Sequence, residues 1–165
     1  MTGSFDDLLA ANARYAQDFD LAGFDGIAHA GVAVVTCMDS RIAPLAMLGL
    51  RPGDAKVLRN PGGRVTDTAL VALVLGVHLL GVERVLIVPH TRCAMAGATE
   101  DAIRARVTAA SGVDASAETF GAVEDQAVAL RDDVALVRGH RLIPPSVTVG
   151  GFLFDVDTGR LSQLV

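Results

Sequence analysis

Short apolar runs separated by helix-like segments most constrain how this chain can fold. Residues 29–36, 55–59 and 83–88 are rich in β-branched and other apolar side chains, which is typical of short strands buried on both faces. Helical patterns follow two of these runs, and strands that alternate with helices favour a parallel sheet with helices on both faces. The sequence therefore predicts an α/β fold with three layers and a mostly parallel central sheet.

Helix signals follow the second and third runs. Thr66 or Asp67 can cap a helix over residues 68–80, because short polar side chains accept hydrogen bonds from the first free backbone amides. Thr99 can begin a second helix in the same way. Residues 117–131 show an amphipathic pattern and predict a third helix.

The two ends of the chain carry further elements. Residues 147–154 and 160–164 predict two strands joined by a turn, which adds an antiparallel hairpin to the sheet. Residues 1–25 predict a helical arm with large apolar side chains, which needs a surface on its own domain or on a neighbouring subunit. We find no linker or repeat, so residues 1–165 are predicted to form a single domain that includes this arm.

Charge and hydropathy exclude two kinds of partner. The net charge is −5, from 14 Lys and Arg against 19 Asp and Glu, which argues against a nucleic acid but allows a small anion. The N-terminal sequence has no basic, apolar signal-peptide pattern. The most apolar stretch, residues 69–82, is shorter than the roughly 20 residues that span a membrane. We therefore expect a soluble, cytoplasmic protein with no membrane partner.

Cysteine and histidine residues follow two of the predicted strands. Cys37 comes after the first, and His90 and Cys93 come after the third. Taken alone, His90 and Cys93 fit a loop histidine and a small buried thiol as well as they fit a metal site. If the two strands are neighbours, the three side chains meet beyond the carboxyl ends of the sheet. Two thiolates and an imidazole form a zinc set that leaves a fourth position open.

Asp39 and Arg41 follow Cys37 at alternate positions. In an extended segment such residues face the same way, and Arg41 can hold Asp39 through paired hydrogen bonds. The alternative is an ordinary surface ion pair, worth under about 1 kcal/mol. Another alternative for the whole set is a redox protein with a disulfide between Cys37 and Cys93, which leaves His90, Asp39 and Arg41 unexplained.

Three separated motifs resemble a known family, in this order along the chain: Cys37-x-Asp39-x-Arg41, Arg59-Asn60-Pro61-Gly62 and His90-x-x-Cys93. Their order and spacing are similar to those of the β-class carbonic anhydrases, and the short chain resembles the compact branch of that family. The resemblance covers nearly the whole chain and is strongest over residues 32–97.

The resemblance implies a fold and a set of site residues. It implies four parallel strands plus an antiparallel strand, and a homodimer or dimer of dimers whose N-terminal helices reach across to the partner. It implies Zn²⁺ held by Cys37, His90 and Cys93. It further implies that Asp39 takes the fourth metal position in a closed state and releases it to water when Arg41 holds Asp39, and that Gly62 lines the carbon dioxide pocket.

The resemblance also implies an activity, that of a carbonate dehydratase (a lyase). Zinc-bound hydroxide would attack carbon dioxide and give bicarbonate and a proton, with a rate that rises toward alkaline pH. Two alternatives use the same residues: hydrolysis of carbonyl sulfide or carbon disulfide, and a zinc-binding homologue without catalysis.

Two positions depart from the family pattern. Ala94 stands where glycine commonly follows the second cysteine, so a positive φ there would strain the backbone. Arg92 stands where relatives often have Asp or Gly. It could compete with Arg41 for Asp39, attract anions to the mouth of the site, or point to solvent, which is the outcome we expect.

Overall fold

A five-stranded sheet forms the centre of the protein. The computed structural model describes residues 4–165, so residues 1–3 of the predicted arm lie outside the described part. Along the sheet the strands have the order β2-β1-β3-β4-β5. In chain order their bounds are β1 Val32–Cys37, β2 Ala55–Asn60, β3 Arg84–Val88, β4 Thr148–Phe154 and β5 Leu161–Gln163.

Strand pairing confirms the predicted sheet. β1 lies between β2 and β3 and pairs with both in parallel, and β3 pairs in parallel with β4. β5 is antiparallel to β4. Thr36 of β1 is in register with Arg59 of β2 and with Val88 of β3. The carboxyl ends of these three strands therefore lie side by side at one edge of the sheet.

Within residues 4–165, four α-helices accompany the sheet: α1 Asp6–Tyr15, α2 Asp67–Leu79, α3 Glu100–Ser111 and α4 Gln126–Gly139. Side chains of α2 and α4 share a buried cluster with alternate residues of β1 and β3. The opposite face of these strands packs against loop residues and a short 3₁₀ turn at Ala46–Leu48. Every residue of β1 is buried, as expected for a strand covered on both faces.

Local signals placed two helix starts correctly. Thr66 is the N-cap of α2, and its side chain accepts a hydrogen bond from the Ala69 amide at 3.3 Å. Thr99 caps α3 in the same way, with the Ala102 amide at 3.2 Å. Both caps satisfy a donor that the helix leaves free.

The helix predicted over residues 117–131 is wrong in its bounds. α4 begins after Asp125, whose carboxylate accepts hydrogen bonds from the backbone amides of Ala127 and Val128. The preceding segment is held by α3, since the Glu100 carboxylate accepts hydrogen bonds from the amides of Phe120 and Ala122. These two bonds lower the pKa of Glu100. A contact from another helix thus overrides the local amphipathic pattern.

The described part of the arm is exposed. α1 ends at Tyr15, followed by a short 3₁₀ turn at Ala16–Asp18, so the helix is shorter than the predicted arm. It buries no residue, and Phe5 and Leu8 are 70% and 60% exposed. That the arm packs on a partner subunit stays a prediction. Within the described residues, no helix is long and apolar enough to cross a bilayer.

Candidate metal centre

Cys37, His90 and Cys93 meet at the carboxyl edge of the sheet. Cys37 is the last residue of β1, while His90 and Cys93 lie in the turn after the neighbouring strand β3. One ligand atom from each residue lies within 4.8 Å of the other two, and all three residues are buried. The parallel pairing of β1 with β3 therefore brings together the set that the strand-end argument predicts.

His90 presents a ring nitrogen that has no partner. Its Nδ1 lies 2.8 Å from the Thr91 carbonyl oxygen, which fits an Nδ1–H donor and leaves Nε2 with a free lone pair. Among residues 4–165, Nε2 of His90 is the one buried side-chain polar atom without a hydrogen bond. Leaving such a group unsatisfied is costly, and a metal ion bound at Nε2 would remove that cost.

The two thiols complete a donor set that suits zinc. The sulfur atoms of Cys37 and Cys93 lie 3.9 Å apart, and both cysteines are free. Burial raises the pKa of the Cys93 thiol, and the nearby Cys37 raises it further. A bound divalent cation opposes this effect, because it stabilises the thiolate. Two thiols and one imidazole, all buried, therefore fit Zn²⁺ and leave one position of a tetrahedron free.

Asp39 and Arg41 form the predicted pair beside this set. Nε of Arg41 donates to Oδ1 of Asp39 at 2.9 Å, and its Nη2 donates to Oδ2 at 2.7 Å. The Arg41 amide also donates to Oδ1 at 2.9 Å. These bonds hold the pKa of Asp39 well below its usual range. Oδ2 of Asp39 lies 3.8 Å from Nε2 of His90, so the carboxylate is close to the candidate ligands but is held by Arg41.

Two glycines form the turn after β2. Gly62 is buried with φ 78°, and Gly63 is buried with φ 67°. A Cβ on Gly62 would stay at ordinary distances, 3.5 Å or more, from its neighbours. A Cβ on Gly63 would come within 2.9 Å of the Cys37 amide nitrogen. The family resemblance predicted a role for Gly62 alone, although the sequence shows two adjacent glycines here.

Other supporting residues had no signal in the sequence. Nε2 of Gln126, at the start of α4, donates to the His90 carbonyl at 3.0 Å. Asp133 of α4 is buried and accepts two bonds from the Arg64 side chain and one from the Val65 amide. Both depend on the docking of α4, whose bounds the sequence argument did not find.

The backbone conformation and side-chain contacts show what happens at Ala94 and Arg92, the two positions that depart from the family pattern. Within the described residues, Arg92 is the single non-glycine residue with a positive φ, at 54°. The possible strain at Ala94 therefore does not arise. The Arg92 side chain is 60% exposed and pairs with Asp157, while Arg41 keeps Asp39. The expectation that Arg92 points to solvent, rather than competing for Asp39, is confirmed.

A Cys-His-Cys set that could hold a metal ion lies at the carboxyl ends of neighbouring parallel strands, and comparison with known proteins gives the family. The family model described as carbonic anhydrase matches residues 32–161. β-Carbonic anhydrase 1 of Mycobacterium tuberculosis is 32% identical over 96% of both chains. A carbon disulfide hydrolase of Acidithiobacillus thiooxidans is 33% identical over 78% of this chain and 74% of its own.

Solved structures agree with these relatives. The carbonic anhydrase from Streptococcus mutans has a TM-score of 0.89 and 35% identity, and the match covers all of both chains. The chain belongs to the β-carbonic anhydrase family. The resemblance inferred from the three motifs is therefore confirmed.

Proposed function

We propose that this protein catalyses the zinc-dependent, reversible hydration of carbon dioxide to bicarbonate and a proton. One observation carries the proposal: the unpartnered Nε2 of His90 lies beside two buried thiols and the Asp39 carboxylate. A packing role for these residues leaves the free lone pair unexplained. Membership of a carbonic anhydrase family supports the same chemistry.

Cys37, His90 and Cys93 are proposed to hold Zn²⁺. When bound, the ion would act as a Lewis acid that lowers the pKa of a water molecule, and less so beside two thiolates than beside three neutral histidines. The Thr91 carbonyl holds the His90 ring in the tautomer that leaves Nε2 free. Gln126 holds the His90 main chain through a hydrogen bond to its carbonyl oxygen. These contacts keep the ligand oriented before the metal arrives.

Asp39 and Arg41 are proposed as the catalytic pair. Because Arg41 keeps Asp39 ionised, the carboxylate can accept a hydrogen bond from water and orient it toward the substrate. Asp39 is also a candidate fourth metal ligand, since Oδ2 lies 3.8 Å from Nε2 of His90. Retention of Asp39 by Arg41 therefore favours the state in which solvent can enter. Gly62, which presents no side chain, is proposed to line the carbon dioxide pocket.

The proposal is tested by stopped-flow hydration of carbon dioxide at pH 7 and pH 9, on protein of measured zinc content. We expect rapid hydration that increases from pH 7 to pH 9. Asp39→Asn should lower the rate, because the amide cannot carry the charge that pairs with Arg41. Asp157→Asn, which also faces an arginine, serves as the matched control and should stay near the wild-type rate. Zinc-loaded protein without hydration at either pH would contradict the proposal.

A second candidate keeps the site and changes the gas. Carbon disulfide hydrolases of Saccharolobus solfataricus and Acidithiobacillus thiooxidans are 29% and 33% identical to this chain. Carbon disulfide and carbonyl sulfide are linear molecules like carbon dioxide and are attacked at the same central carbon. Assays with each gas on the same zinc-loaded preparation distinguish the two activities. Zinc binding without turnover of any gas would instead identify a non-catalytic homologue.

Self-association is the remaining part of the proposal, with α1 and the outer face of α2 as the surface. Val71, Leu75 and Leu79 of α2 are 60%, 47% and 65% exposed, and the apolar side chains of α1 are also exposed. An apolar surface of this kind marks an interaction site. We propose that a second copy of the chain covers this surface. Residues 1–165 would then form one domain, and its arm, residues 1–25, would pack on the partner.

Light scattering after size-exclusion chromatography checks this interface. We expect the wild type to elute as a dimer or a dimer of dimers, and Val71→Glu to elute as a monomer, because it places a charge inside the apolar contact. Val113→Glu is the matched control, since Val113 is 67% exposed but lies outside both helices. A monomeric wild type would contradict the proposed interface.

A further inference from the structure

Arg59 makes three hydrogen bonds to the loop that carries Asp39. Its Nε donates to the Cys37 carbonyl at 2.9 Å, its Nη1 to the Ile42 carbonyl at 3.2 Å, and its Nη2 to the Asp39 carbonyl at 2.5 Å. All three acceptors are main-chain oxygens and none is a carboxylate. The guanidinium group is therefore used to hold backbone and not to form an ion pair.

The sheet explains why Arg59 can reach this loop. Arg59 lies near the end of β2, in register with Thr36 of the neighbouring strand β1. Cys37 follows Thr36, and the loop begins there. An arginine presents its donors in a rigid planar fork, so one side chain can fix the start, the middle and the end of the segment 37–42. Lysine has no such fork.

Few other bonds hold the backbone of this loop. The Met38 amide donates to the Asn60 carbonyl at 3.1 Å, and the Ile42 amide donates to the Asp39 carbonyl at 3.1 Å. No helix or strand includes residues 38–41. Without the Arg59 bonds, Asp39 would keep only short-range bonds within the loop, from the Ile42 amide to its carbonyl and from the Arg41 amide and side chain to its carboxylate. The position of the Asp39 carboxylate relative to His90 therefore depends on Arg59.

We propose that Arg59 is a positioning residue, which holds the 37–42 loop so that Asp39 stays on Arg41 and does not enter the metal site. The inference rests on the proposed function and adds a residue to it. Asp39 lies 3.8 Å from the free nitrogen of His90, so a small movement of the loop would bring its carboxylate to the fourth position. Arg59 thus favours the open state of the site.

The test uses Co²⁺ in place of Zn²⁺, because its visible spectrum reports the ligands directly. Azide is added to the cobalt-loaded full-length protein. We expect the wild-type spectrum to change with azide, since the fourth position is open to an anion. Arg59→Ala should bind cobalt but respond at least about 10-fold less to azide, because Asp39 then occupies that position. Its hydration rate with zinc should fall by about 10- to 100-fold, as for other supporting residues of metal sites.

A second substitution separates positioning from simple damage. In the double variant Arg59→Ala with Asp39→Asn, the amide is a poor metal ligand, so the azide response should return. Damage to the fold would not be repaired by this change. Arg59→Lys, which presents one flexible donor group, should fall between the wild type and Arg59→Ala. Arg131→Ala, an exposed arginine of α4, is the matched control and should behave as wild type.

The outcomes distinguish this inference from the proposed function. Wild-type protein that binds neither cobalt nor zinc would overturn the proposed function. Cobalt binding with an equal azide response in the wild type and in Arg59→Ala would overturn the positioning role alone. Loss of the response in both Arg59→Ala and the double variant would also overturn it, because Asp39 would then not be the cause.

Discussion

Replacement of Cys93 by alanine is expected to abolish zinc binding and carbon dioxide hydration together. Cys93 supplies one of two buried thiols, and its sulfur lies 3.9 Å from that of Cys37. Loss of a supporting residue lowers metal affinity by about 10- to 100-fold, so loss of a ligand should lower it by more than about 100-fold. Zinc per chain by elemental analysis and the stopped-flow hydration rate measure the two effects.

Ala94→Ser is the matched control for this prediction. Ala94 is the next residue in the same turn and is exposed, so its substitution leaves the three candidate ligands in place. We expect about one zinc per chain in this variant, as in the wild type. Zinc retained by Cys93→Ala at the wild-type level would contradict the prediction, because the metal would then use other ligands.

Gly63→Ala is expected to be the most destabilising small substitution near the site. A Cβ at this position would lie 2.9 Å from the Cys37 amide nitrogen and 3.0 Å from the Thr36 carbonyl carbon. Both atoms belong to the backbone of β1 and cannot move aside as a side chain can. The left-handed φ of 67° adds strain for any residue with a Cβ. Together these effects should lower the free energy of unfolding by about 2–4 kcal/mol.

Gly159→Ala is the matched control, which separates the steric clash of the added Cβ from the strain of a positive φ. Gly159 has a similar φ of 69°, but a Cβ there would meet no atom within 4 Å. It should therefore cost only about 1 kcal/mol. Denaturant unfolding of the wild type and both variants measures these losses. The shift in the midpoint gives the change in the free energy of unfolding, provided that the dependence of this free energy on denaturant concentration is unchanged. Equal losses for the two variants would contradict the close approach of Gly63 to β1.

The sequence predicted which residues meet at the candidate site better than it predicted the residues that hold them in place. Cys37, His90 and Cys93 follow predicted strands, and the ends of neighbouring parallel strands meet by geometry alone. The Asp39–Arg41 pair could be predicted because the two residues are close in sequence. The start of α4 at Gln126 could not, because Glu100 of another helix holds the amides before it.

The role of Arg59 likewise could not be predicted from the sequence. It belongs to a motif that was visible in the sequence, but its three bonds go to backbone carbonyls of another segment. Carbonyl oxygens are common to all residues, so no pattern of side chains indicates them. The roles of Gln126 and Asp133 were missed for a related reason, since both act only after α4 has packed against the sheet.

The turn that carries His90 and Cys93 is bound to a strand made much later in synthesis. The Thr91 amide donates to the Phe154 carbonyl at 2.9 Å, and the Phe154 amide donates to the Pro89 carbonyl at 3.0 Å. During translation, β3 therefore remains an edge strand until β4 has left the ribosome. A nascent chain holds both cysteines and the histidine before it can fix their geometry. Stable capture of the proposed zinc should accordingly be a late event, which follows the synthesis of β4.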